Sequence, residues 1–135
     1  MASTIPDLWP DLEQSQVIPP VAILREQAAA LGKKTNYLLE GRVQTANVGE
    51  GKFRHIFSID APALDNYTYD LFWIEHGADQ YPVAAPSLLP KDVFGPVTKT
   101  IQSQDDLVDY IRRVLNSEKT KKVVSSLLAQ VKATT

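Results

Sequence analysis

The chain contains no cysteine. That excludes disulfides, thiolate zinc sites and cysteine nucleophiles. No apolar run approaches the ~18 residues that a membrane span requires. The basic-then-apolar pattern of a signal peptide is missing from the first residues. Gly-rich phosphate loops and the Gly-x-Ser-x-Gly elbow of serine hydrolases are also absent. There is no internal repeat and no low-complexity segment. Net charge is −2, too small and of the wrong sign to draw the chain as a whole toward nucleic acid. These absences lead us to expect a soluble, cytoplasmic protein with no membrane partner, no metal and no cofactor.

What is present is ordinary in amount and uneven in placement. The 135 residues suit one domain, 44% of them are apolar and 22% charged. From Arg112 onward there are six basic residues and one acidic, net +5; against the total of −2, the residues before Arg112 carry −7. Four of the nine prolines, Pro6, Pro10, Pro19 and Pro20, fall in the first 20 residues. Proline fixes φ and lacks an amide proton, so residues 1–19 are expected to form an extended, Pro-rich arm ahead of a body at 20–135. The arm still carries Ile5, Leu8, Trp9, Leu12, Val17 and Ile18.

The body reads as α+β. Pro20 opens an alanine-rich helix whose stripe is Leu24, Ala28 and Leu31, with Gly32 as its stop. A strand is expected over 36–48, then a turn at Gly49-Glu50-Gly51, then a strand over 52–60 with Phe53, His55, Phe57 and Ile59 on its apolar face. The richest aromatic and polar stretch is 66–81. It predicts a central strand over 67–75, a turn at 76–79, and a return at 80–85 that Pro82 marks as an edge or bulge. Strict alternation places Tyr67, Tyr69, Leu71 and Trp73 on one face and Asp70, Phe72, Ile74 and His76 on the other. A loop is expected over 86–96 and a short fifth strand over 97–101. Ser103 and Ser117 then cap two helices, the first with Leu107, Tyr110, Ile111 and Val114 inward, the second with Val123, Val124, Leu127, Leu128 and Val131 inward. The short connections make a four- to five-stranded antiparallel meander, with one N-terminal helix and two C-terminal helices.

Four constellations could carry function. Glu40 followed by Glu50-Gly51-Lys52, with Glu26 upstream, resembles in spacing the carboxylates and lysine of metal-dependent nucleases. Its Glu-x-Lys falls in a glycine-flanked turn, which holds ligands poorly. His55, Asp70, Glu75 and His76 are the ingredients of an acid–base site. Alternation sets Asp70 and Glu75 on opposite faces, and puts Asp70 and His76 on one face about 20 Å apart. Lys119, Lys121 and Lys122 on the last helix are phosphate-contacting types, as in a helix-turn-helix, but that turn has no glycine, so nucleic acid is the third choice. Trp9, Tyr67 and Tyr81 are of the type enriched at protein interfaces, and Trp9 on its arm suggests self-association as a homodimer. The favoured reading is a non-enzymatic interaction or accessory module. The alternative is an enzyme assembled around His55, Asp70 and His76.

Overall fold

The computed structural model describes residues 4–86 and 98–134. Helix α1 (Pro20–Lys34) is followed by strands β1 (Glu40–Gly49), β2 (Lys52–Ala61) and β3 (Tyr67–His76), with a single 3₁₀ turn at Pro62–Leu64. Strands β4 (Val83–Pro86) and β5 (Thr98–Ile101) come next, then helices α2 (Gln104–Leu115) and α3 (Glu118–Ala133). The sheet runs β1-β2-β3-β4-β5 and every neighbouring pair is antiparallel. The expected α+β meander is therefore the observed fold. The loop expected over 86–96 lies outside the described residues except for Pro86, which ends β4.

Local chemistry explains most boundaries. Gly49, Glu50 and Gly51 all have positive φ, so the chain reverses through the two residues, Glu50 and Gly51, that separate β1 from β2. Ser103 and Ser117 each accept the amide proton three residues on, from Asp106 and Thr120. Asp105 and Asp106 lie at the positive end of the α2 dipole, and Arg112 and Arg113 at its negative end.

The first helix ends later than the glycine rule predicts. Gly32 is buried within α1, which runs on to Lys34 and is closed by Thr35. The hydroxyl of Thr35 lies 2.9 Å from the Leu31 carbonyl and 3.0 Å from that of Leu39, to either of which it can donate its one proton, and it accepts from the Leu39 amide. The left-handed residues are Asn36 and Tyr37, so 36–39 is a turn and not the start of a strand. Gly32 is small for another reason: a Cβ there would lie 3.2 Å from the Tyr37 ring.

The three helices pack on one sheet face. Ile23, Leu24 and Ala28 from α1 meet Phe57 and Ile59 of β2 and Phe72 and Ile74 of β3, with Leu107, Tyr110, Ile111 and Val114 of α2 and Leu127 and Val131 of α3 completing the cluster. Phe57 stacks on Phe72 at 5.4 Å, and the edge of Tyr110 meets Phe72. The Tyr110 hydroxyl donates to the Pro86 carbonyl at 2.6 Å, tying α2 to β4. Burial pushes the Tyr110 phenol up to about 12. Tyr110→Phe strands that carbonyl, and urea unfolding is expected to show a loss of about 1–2 kcal/mol. A loss indistinguishable from zero would mean the hydrogen bond adds nothing.

One register feature changes the face assignment of β3. Phe57 pairs with Phe72 but Ser58 pairs with Asp70, so Leu71 is an extra residue in a bulge. The bulge inverts the alternation within β3. Tyr67 and Tyr69 share the helix-covered face with Phe72, Ile74 and His76, whereas Thr68 and Asp70 share the other face with Trp73 and Glu75. The expected grouping of Tyr67 and Tyr69 with Trp73, and of Asp70 with His76, is corrected accordingly.

Candidate functional site

The two histidines meet. His55 on β2 and His76 at the end of β3 are both buried, with their Nε2 atoms 2.7 Å apart. His76 Nδ1 lies 2.7 Å from the Gly77 carbonyl, which only accepts, so that nitrogen carries the proton. His76 Nε2 is then an acceptor and His55 Nε2–H donates to it. His55 Nδ1 in turn accepts from the Thr45 hydroxyl at 2.8 Å. Burial first, then His76 and Arg25, lower the pKa of His55 from 6.5 to about 4. All four ring nitrogens are thus engaged within the protein, and neither ring offers a free nitrogen to a substrate.

The carboxylates stand elsewhere. Glu75 and Asp70 lie on the sheet face opposite the histidines, the reverse of what unbroken alternation predicts for Glu75 and Asp70 relative to each other. Arg54 binds Glu75 at 2.7 Å and covers the Trp73 ring at 4.5 Å. Asp70 accepts from the Ser58 hydroxyl at 2.7 Å. Asp60 pairs with Arg42 and accepts from Thr68. This face is a mutually satisfied polar ladder. Trp73 belongs to it, half-buried, and is not part of the helix-covered core.

Two shallow clefts border these groups. One, of about 340 Å³, is lined by Lys52, Glu75, His76, Asp79 and Tyr81; the other, of about 330 Å³, by Arg54, Ile56, Asp70 and Trp73. His55 reaches neither. The Tyr81 hydroxyl is enclosed without a hydrogen-bond partner among the described residues, while its ring packs against the core. Tyr67 is 47% exposed at the far end of β3.

The nuclease-like residues are dispersed. Glu40 and Glu50 flank opposite ends of β1, about 30 Å apart at ~3.3 Å per residue. Glu50 sits in the left-handed turn. Among the described residues no three His, Cys, Asp or Glu side chains come together so as to hold a metal ion. Lys119, Lys121 and Lys122 line one exposed face of α3, beside Glu118.

The arm is the most exposed feature. Every residue from Thr4 to Pro19 is exposed, and burial begins at Pro20. Ile5, Leu8, Trp9, Leu12, Val17 and Ile18 make up six of the ten exposed large hydrophobics among the described residues, Leu8 at 81% and Trp9 at 74%. The arm is locally ordered: Asp7 accepts the Trp9 amide proton, and Ser15 accepts that of Val17. The Ile18 amide donates to Gln104, pinning the root to the start of α2. A short repeat went undetected in the sequence reading: Pro6-Asp7-Leu8 recurs as Pro10-Asp11-Leu12.

A third feature had no sequence signal. The far ends of α1 and α2 and the outer side of α3 enclose a groove of about 460 Å³. Its walls include half-buried Leu31, Leu115, Val124 and Leu128, and its rim carries Lys34 and Lys121. No acidic residue among the described residues lines it. No helix among the described residues is long and apolar enough to cross a membrane. Compared with family models, curated proteins and solved structures, the chain has no match.

Proposed function

We propose that the chain is a non-enzymatic interaction module whose N-terminal arm is its binding element. The concentration of exposed apolar side chains in that arm carries the reading. Burying a Trp and two Leu side chains is worth several kcal/mol in principle, at about 25 cal/mol per Å². A segment that leaves all of them in water is suited to burying them against a partner. Prolines at 6 and 10 restrict the free arm, so less entropy is lost when it docks. The histidine pair, with its nitrogens already engaged, favours this reading over the enzyme reading.

The arm reading separates binding from stability. Trp9→Ala is expected to leave the urea midpoint within about 0.5 kcal/mol of the parent, because the indole touches little of the body. A photo-crosslinking phenylalanine analogue at position 9 is expected to capture a discrete protein product in cells, and one at Val48, an exposed strand position, is not. Equal labelling at both positions, or none at position 9, would sink the proposal.

A further inference from the structure

We infer that the arm's partner is a second copy of this chain, and that it docks in the groove between α1 and α3. This rests on the arm reading above and adds the occupant. Two surfaces on the molecule match in both hydrophobicity and charge. The first 24 residues contain Asp7, Asp11 and Glu13 and no lysine or arginine. The groove has leucine and valine walls, two rim lysines and, among the described residues, no acid. Neither Lys34 nor Lys121 forms an ion pair among the described residues, and neither does Asp11 or Glu13. Docking would bury Leu8, Trp9 and Leu12 on the apolar walls and bring Asp7 and Asp11 to the lysines. The acidic arm and the basic rim of the groove are then complementary between two copies.

The geometry favours a second copy over closure on the same chain. The arm leaves the body at the N-terminal end of α1, while the groove lies at its C-terminal end, about 16 Å away at 1.5 Å per residue from Pro20 to Leu31. Every residue from Thr4 to Pro19 is exposed, so the arm does not occupy its own groove, and both surfaces are left open to another molecule. In two copies related by a two-fold axis, each arm would fill the other's groove.

The test uses the full chain. Trp73→Phe leaves Trp9 as the sole indole. Native mass spectrometry and Trp9 emission are followed together on dilution. A dimer at high concentration, with buried-type emission that turns solvent-like as the monomer appears, is expected. Asp11→Lys and Lys121→Glu should each weaken the dimer about tenfold, and the double variant should recover most of the loss. Ser125→Trp, at an exposed groove position, and the arm variant Trp9→Asp/Leu12→Asp should each be monomeric, and their mixture should give a heterodimer. Circular dichroism checks that every variant is folded. A monomer with solvent-like Trp9 at all concentrations overturns the inference. A monomer with buried Trp9 at all concentrations assigns the arm to its own groove and overturns it too. So does a dimer indifferent to Lys121→Glu and Ser125→Trp. Capture of a different protein at position 9, with the purified chain monomeric, refutes the second copy and leaves the arm reading standing.

Discussion

Gly41→Ala is expected to destabilise the protein by about 3 kcal/mol, from one added methyl group. Gly41 lies near the start of β1, where α1 crosses the sheet. A Cβ at that position would sit 2.4 Å from Ala28 Cα, 2.7 Å from its Cβ and 2.9 Å from its carbonyl oxygen. Two of those atoms are helix backbone, so no rotamer change relieves the overlap. The helix must lift from the strand, and α1 contributes Ile23, Leu24 and Ala28 to the core. For a chain of this length the melting temperature should fall by roughly 10 °C. Adding Ala28→Gly should restore little, because it removes only the Cβ and leaves the Cα and the oxygen in place. Gly32→Ala is the control. Its new Cβ would meet the Tyr37 ring at 3.2 Å, a side chain that can shift, and alanine favours the helix, so the net change should be under about 1 kcal/mol. If Gly41→Ala melts within a degree of the parent, the close helix–strand approach is wrong.

Gly41 also marks where sequence reading stops. The strand periodicity around it was legible, but nothing local says that a helix backbone will press on that residue. What was legible rests on short-range chemistry: Ser103 and Ser117 as caps, the turn at Gly49-Glu50-Gly51, the inward set of α2, and His55, Phe57 and Ile59 of β2, whose Phe53 stays exposed. What was missed depends on partners. The bulge at Leu71 arises because Phe57 and Phe72 pair in one register while Ser58 and Asp70 pair in another. A single inserted residue then exchanges the faces of every side chain beyond it. That is why unbroken alternation puts Asp70 on the face of His76 and opposite Glu75. The helix end at Lys34 has the same character. Gly32 looks like a stop, yet the Thr35 hydroxyl closes the helix through Leu39, four residues downstream. The candidate site was half legible. Trp9 stands out in the sequence as an aromatic on a proline-flanked arm, whereas the groove is built from residues as distant as Leu31 and Leu128 and has no linear pattern.

The second large effect is an acid-dependent loss of stability centred on His55. An imidazole normally titrates near 6.5, and in the folded chain that of His55 titrates near 4, mainly because burial removes the water that would solvate its charge. The Thr45 hydroxyl can turn to accept a proton-bearing Nδ1, so hydrogen bonding does not forbid the imidazolium; the lost hydration does. Between those two values the unfolded chain holds one more proton than the folded chain, so stability rises with pH across that window. The contribution is fully present above pH 6.5, falls as pH drops toward 4, and levels off below, with a total of about 3 kcal/mol. His55→Gln isolates the effect. The amide oxygen can accept from Thr45 and the amide nitrogen can donate to His76, so both neighbours keep their bonds without a titratable group. Urea unfolding at pH 7.5, 5.5 and 4 should show the parent losing about 3 kcal/mol more than the variant, with most of the divergence below pH 6.5. Parallel curves would clear His55 as the source of the acid sensitivity. His55 and His76 join β2 to the end of β3, so a loss there loosens the sheet at the end that carries the β1–β2 turn.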